Sequence, residues 1–179
     1  DPLGHNQTTA YDFAGQPLVV TDALGQKTQI KYTPTGMAYA VVDAKGGHKH
    51  MLWDRYANLQ KYKDCSDKIT QYDYDHYGRL IAVKNALGYE TRFKYYARQE
   101  QPCEIIYPDQ SIEHFKYDVL ERLVEYRDAL GRTTGYQYSH DSLPIRRIDP
   151  ANGVVSYHYD QLRRFVGLTN ENGQMWTLE

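Results

Sequence analysis

Ser156, His158 and Asp160 supply the residue types of a nucleophile, its base and the group that orients the base. Their alternation would put them on one face of a strand, where successive same-face Cα atoms stand ~6.6 Å apart. Triad partners must converge to hydrogen bonds of about 3 Å, and the flanking Tyr157 and Tyr159 claim the buried phase of the same strand. Ser139-His140-Asp141 is consecutive, in a stretch with turn chemistry. His48 and His50 also share a strand face, near Asp43 and Asp54, but two imidazoles without a clear third ligand suit a polar face better than a metal site. Cys65 and Cys103 lie about two repeats apart, ~19 Å along a sheet. A disulfide needs Cα atoms within roughly 7 Å, so two free thiols are expected. Asn6-Gln7-Thr8 fits a glycosylation sequon, a match that chance supplies easily. No catalytic residue, cofactor or metal is expected.

What organises these residues is a period. Tyr11, Tyr32, Tyr74, Tyr95, Tyr117, Tyr138 and Tyr159 share one phase, with Trp53 in the gap, at intervals of 21 residues and a single 22. Asp1, Asp22, Asp43, Asp64, Asn85, Asp128, Asp149 and Asn170 keep step, and Gly4, Gly25, Gly46, Gly88, Gly131 and Gly173 follow three residues later. Gly15, Gly36 and Gly78 follow the phased tyrosine instead. Fixed self-similarity of this kind marks a repeat architecture. Each unit then serves mainly to stack on its neighbours. The aromatic ladder could stack on sugars or a partner, but rings repeated at one register more simply bury area and pin strands together.

Thr9, Ile30, Met51, Tyr72, Phe93, Phe115, Tyr136 and Tyr157 stand two positions ahead of the ladder, with a mostly polar residue between. Thr28, Thr70, Thr91 and Thr134 stand four ahead. This period-two pattern is that of a half-buried strand. Turn chemistry follows, as in Asp12–Gly15 and Asp75–Gly78, and then a second apolar run such as Leu80-Ile81-Ala82-Val83. Leu80 and Val83 are three apart, which either a β-bulge or burial of both faces would give.

Each unit therefore reads strand, turn, strand, turn. The expected fold is all-β: a continuous antiparallel β-hairpin array of about eight units and 16 strands, a curved strip or arc. Glycine, aspartate and proline occur too often for a coiled coil. The leucine-rich core pattern is absent too. A parallel β-helix stays open, though turns of about four residues favour hairpins.

Charge is nearly balanced, 21 basic against 23 acidic residues, without a long run of either sign. That argues against a nucleic-acid module, and no apolar stretch approaches the roughly 20 residues of a membrane helix. The whole chain reads as one array without an internal boundary, a fragment of a longer protein lacking capping repeats. Raw edges near Thr8–Phe13 and Gln174–Leu178 would then pair with neighbouring repeats or with another copy.

Gly25…Thr28…Tyr32, Gly88…Thr91…Tyr95 and Tyr74-Asp75-His76-Tyr77-Gly78-Arg79-Leu80 resemble YD repeats, also called RHS repeats, with the pattern G-x-x-T-x-x-x-Y-D-x-x-G-R-L. The resemblance covers essentially the whole chain. Departures are local: Trp53 for Tyr, Lys49 and Glu113 for Thr, Asp67 and Gln110 for Gly, and one extra residue expected at Arg98–Cys103. Related proteins include bacterial Rhs effectors, the C components of insecticidal toxin complexes, and teneurins. The resemblance implies a sheet that winds into a hollow shell around a C-terminal toxin, secreted or delivered by a bacterial secretion system with its parent. The self-cleavage segment of such proteins, P-x-x-x-x-D-P-x-G-L, is absent. The implied role is structural wall, with neighbouring repeats and an enclosed toxin as partners. The alternative is a repeat surface that binds carbohydrate or protein in adhesion.

Overall fold

The computed structural model describes residues 6–178, and the turn expected at Asp1–Gly4 lies outside them. The described residues form seventeen β-strands and no helix. They group into two compact units, divided between Thr91 and Arg92. The first holds β1 (Thr8–Tyr11), β2 (Pro17–Thr21), β3 (Lys27–Tyr32), β4 (Ala38–Val42), β5 (His48–Trp53), β6 (Leu59–Lys63), β7 (Ile69–Tyr74) and β8 (Leu80–Lys84). The second takes most of β9 (Glu90–Tyr95), then β10 (Pro102–Ile106), β11 (Ile112–Tyr117), β12 (Leu123–Arg127), β13 (Thr133–Tyr138), β14 (Pro144–Ile148), β15 (Val154–Tyr159), β16 (Phe165–Thr169) and β17 (Met175–Thr177). Within each unit every strand pairs antiparallel with the next in sequence. The chain is thus an all-β hairpin array with two strands per repeat.

One turn geometry serves almost every connection. At Asp22 the backbone N–H of Gly25 donates to the Asp22 carbonyl (3.0 Å), and that of Asp22 to the Gln26 carbonyl (2.9 Å). This is a type I turn closed by a residue in the left-handed region, a common three-residue hairpin loop. Gly25 holds φ 78° there with no atom near a would-be Cβ, so the demand on this position is conformational and not steric crowding. Between Tyr95 and Pro102 the connection is one residue longer. A turn bond runs there from Gln99 N–H to the Tyr96 carbonyl at 3.3 Å, and the extra residue sits in that loop.

The three-residue spacing in the second strand is a bulge. Tyr74 pairs with Leu80 and Asp73 with Ala82, which leaves Ile81 as the extra residue. The same shift recurs one residue before every ladder position. Two-sided burial is not the cause, because each unit is a single layer. Among the described residues the buried apolar side chains are Ala40, Ala82 and Cys103, and no large side chain is fully enclosed.

Candidate functional site: the aromatic ladder and its latches

Each ladder residue is the last of its strand, set there by the tight turn that follows. On β7 the half-buried residues are Thr70, Tyr72 and Tyr74, and the exposed ones are Ile69, Gln71 and Asp73. The ladder rings from Tyr32 to Tyr159 are half-buried, and Tyr11 is 60% exposed. They were expected to be mostly buried. A single-layer sheet shields a ring with its flanking hairpins but puts nothing over its face.

The polar tips of six rings find one kind of acceptor. Tyr32, Tyr74, Tyr117, Tyr138 and Tyr159 donate their hydroxyl protons to the carbonyls of Pro17, Leu59, Pro102, Leu123 and Pro144, at 2.8–3.1 Å and always fifteen residues back. Trp53 does the same with its indole N–H, 2.7 Å from the Ala38 carbonyl. That explains why tryptophan can stand in for tyrosine: both carry an apolar body and a donor at its tip. All six acceptors are first residues of their strands, on the inter-repeat side. There the backbone ladder has already stopped: β6 and β7 pair at Lys63↔Ile69, Tyr62↔Thr70 and Lys61↔Gln71, and no further. The hairpin within a repeat has four pairs, as from Gln71↔Lys84 to Tyr74↔Leu80. The latch thus extends the weaker junction. It also explains Pro17, Pro102 and Pro144, since a strand's first residue can lack an N–H while its carbonyl stays in use.

The turn aspartates cap the loops. Asp160 Oδ1 accepts from the backbone N–H groups of Leu162 (2.8 Å) and Arg164 (2.9 Å), and Oδ2 from Arg164 Nε (2.7 Å). Those Arg164 bonds hold its carboxyl below the usual range. The N–H groups of Gly47 and Lys45 do the same for Asp43. Arg122 pairs with Asp118 at 2.6 Å, reaches the Ser139 carbonyl (3.2 Å), and lies 4.8 Å over the Tyr138 ring. It thus ties one repeat's turn to the next repeat's ladder.

One cluster breaks the pattern. Glu113, in the place of a repeat threonine, accepts from the hydroxyls of Tyr107 (3.0 Å) and Tyr126 (2.8 Å). The bond to Glu113 pushes the Tyr126 hydroxyl up to about 12. Burial drives the Cys103 thiol up as well, and both cysteines are free.

The residues with chemical potential do not converge. Ser156 faces Thr169 across the strands, His158 Nε2 meets Thr169 Oγ1 at 2.8 Å, and Asp160 is spent on its own turn. His140 pairs with Asp141 at 2.8 Å, while Ser139 Oγ accepts the Leu143 N–H. The His48 and His50 rings stack with centroids 6.5 Å apart. Asp54, like Asp43, caps its own turn. Among the described residues no group of three or more His, Cys, Asp or Glu could hold a metal ion. No helix there is long and apolar enough to cross a membrane.

The chain is similar to known proteins in sequence and in fold. The sequence model described as teneurin YD-shell matches residues 4–125. The double-stranded DNA deaminase toxin A of Burkholderia cenocepacia is 35% identical over 141 residues, 78% of this chain and 10% of that protein. The probable deoxyribonuclease RhsB of Dickeya dadantii is 27% identical over 159 residues, 85% of this chain and 11% of that protein. The chain therefore spans about a tenth of the length of these relatives. Among solved structures, TcdB2–TccC3 without its hypervariable C-terminal region superposes with a TM-score of 0.71 at 13% identity, over 90% of this chain and 10% of that one. The Photorhabdus luminescens Tc holotoxin pore gives 0.56 at 18% identity, over 96% and 9%.

Proposed function

Because the chain belongs to the teneurin YD-shell family, we propose that it is a wall segment of a hollow shell enclosing a C-terminal toxin domain. The observation that carries this reading is the latch, repeated in both units, by which each hairpin binds the next through a donor fifteen residues from its acceptor. Such bonds serve propagation of a sheet. The glycine turns at Gly15, Gly25, Gly36, Gly46, Gly78, Gly88 and Gly131, with Gly173, bring the chain back at eight of its connections. On this reading the segment is one uninterrupted array within its parent, contributes no catalytic group, and leaves the producing cell with that parent. Its edges meet preceding and following repeats.

The test uses the parent protein with its C-terminal domain in place. That domain should resist limited proteolysis, and Tyr74→Ala with Tyr138→Ala should open it to cleavage. Equal cleavage with and without these substitutions would overturn the reading.

One feature favours a second reading, a surface that binds glycan or protein. Tyr56 and Tyr77 stand 70% and 66% exposed at equivalent turns. They flank an open groove of about 850 Å³ that Asn58, Gln60, Asp73 and His76 also line. Saturable binding of an oligosaccharide, lost in Tyr56→Ala and Tyr77→Ala, would establish it.

A further inference from the structure

Strand register divides the side chains of the first unit between two faces. One face carries the ladder. The other carries Lys27 and Lys31 on β3, His48 and His50 on β5, Lys61 and Lys63 on β6, and Lys84 on β8. Cross-strand pairing fixes this grouping: Lys31↔Ala40↔His50↔Lys63, and Leu52↔Lys61↔Gln71↔Lys84. Among the described residues of the first unit's strands, the acidic side chains on that face are Asp73 on β7 and, at the unit's end, Glu90, the first residue of β9. The turn aspartates sit at the ends of the strands and are spent on capping backbone N–H groups. Of the lysines, Lys63 has an ion pair, with Asp67 at 2.7 Å. Lys27, Lys31, Lys61 and Lys84 have none among the described residues.

We propose that this lysine face of the first unit is a docking surface for an acidic protein surface. Lysines on one strand face at i and i+2, such as Lys61 and Lys63, stand ~6.6 Å apart, and Lys61 and Lys84, two strands apart, ~10 Å. These separations are at or below a Debye length of about 10 Å, so the charges act together and attract a matching row of carboxylates. Three features select protein over nucleic acid. The paired positions of that face, from Lys27 to Lys84, hold no Tyr, Trp or Phe on which bases could stack. It has no arginine for bidentate phosphate contact, Arg55 and Arg79 both lying in turns. And its lysines surround exposed apolar side chains, Leu52 at 51% and Ile69 at 41%. An apolar centre with a charged rim is the anatomy of a protein interface.

The surface belongs to the first unit alone and needs no shell, so its test is separate from that of the wall. Labelled poly-L-glutamate is titrated into the purified chain and read by fluorescence anisotropy. Saturable binding at about 50 mM salt should weaken about tenfold by 300 mM. It should also fall about tenfold in the triple variant Lys31→Glu, Lys61→Glu, Lys84→Glu. Lys49→Glu makes on the ladder face the charge change of one of these three substitutions; it should leave binding within about twofold, where Lys61→Glu alone weakens it more. Circular dichroism of each variant checks that the sheet is intact, and Lys31→Ala, Lys61→Ala, Lys84→Ala repeats the loss without added acid. Absence of poly-glutamate binding, equal loss in Lys49→Glu, or tighter binding of an oligothymidylate of matched length would overturn the proposal.

Discussion

The two units carry the same backbone with different side-chain solutions. In the first, the lysines of the polar face are paired across the strands with threonine, alanine, histidine, leucine, isoleucine or glutamine. In the second they look at glutamate: Lys94 meets Glu104 at 2.6 Å and Lys116 meets Glu125 at 2.7 Å, with His114 beside Glu104. The turns differ as well. The left-handed position is Gly15, Gly25, Gly36, Gly46, Gly78 and Gly88 in the first unit, with Ala57 and Asp67 as departures. In the second it is Arg98, Gln110, Glu121, Ser142, Asn152 and Arg163, with Gly131 and Gly173 keeping the glycine. The turn geometry survives these exchanges, so it is imposed by the capping bonds and the strand pairs as much as by glycine. What the two units hold in common, the ladder and its latches, is what the fold needs.

The ladder should therefore give the largest effect, and a similar one in either unit. Tyr74→Ala removes a half-buried ring and leaves the Leu59 carbonyl without its donor. The expected cost is about 3 kcal/mol, within the range for aromatic truncation. Tyr11→Ala, at an exposed ring with no latch among the described residues, should cost less than about 1 kcal/mol. Urea melts of the two variants decide this, and equal losses would break the link between latch and stability. The donor alone is tested by Tyr138→Phe, which keeps the ring and orphans the Leu123 carbonyl. About 1–2 kcal/mol is expected. A loss of the same size in Trp53→Phe, which removes an indole N–H, would sharpen the claim that the two units share one device.

A smaller, pH-dependent difference comes from the Glu113 cluster of the second unit, added to the burial that raises ladder tyrosines such as Tyr74 and Tyr138 in both units. Tyr126 donates to Glu113, so its folded ionisation, near 12, lies above the ordinary value of 10. A group raised on folding stabilises fully below its unfolded value and loses that contribution as pH rises through the folded one. The second unit should thus lose stability between about pH 10 and 12, and Glu113→Thr should reduce that dependence to the part that burial of Tyr117, Tyr138 and Tyr159 supplies. Absorbance at about 295 nm, following tyrosinate formation, checks it directly. A Tyr126 that titrates at the ordinary value would break the assignment.

Most of the fold could be read from sequence, because the period writes it eight times over. Asp12–Gly15 and Asp75–Gly78 announce their turns through residues whose local chemistry is strong. The bulge at Leu80-Ile81 stayed open because a three-residue spacing alone does not separate an inserted residue from two-sided burial. The latch was not legible, since its acceptors are main-chain carbonyls, which side chains as different as Pro17, Ala38 and Leu59 do not announce. Fifteen residues separate each from its donor, and only the register brings them together. The lysine face was hidden for the same reason. Lys31, Lys61 and Lys84 are scattered along the chain, so a search for charge runs finds a balanced sequence. Glu113 was visible as an exception to the repeat, but nothing in the sequence showed that Tyr107 and Tyr126 would both turn to it.

The turns offer the smallest effect and the sharpest comparison. Gly25 sits at φ 78° with open space where a Cβ would go, so Gly25→Ala meets no clash and bears only the left-handed penalty of about 1–2 kcal/mol. Part of this is returned, because alanine loses less backbone entropy than glycine on folding, by roughly 0.5–1 kcal/mol. A net cost of about 1 kcal/mol is expected. The second unit runs the same exchange backwards. Glu121 holds φ 59° and Arg163 φ 63°, and neither side chain gains a local bond that favours this region. Glu121→Gly should stabilise by about 0.5 kcal/mol, the penalty relieved less the entropy lost, and Arg163→Gly by less, because it also loses the ion pair with Asp141 at 3.2 Å. Asn152, at φ 65°, is the internal control. Asparagine visits the left-handed region at little cost, so Asn152→Gly should change stability by less than about 0.3 kcal/mol. Thermal melts of the three glycine variants, compared in one background, rank them. A destabilised Glu121→Gly would mean that the side chain holds the turn through contacts of its own. The two units would then differ in how their turns are built, and not merely in which residue bears a shared strain.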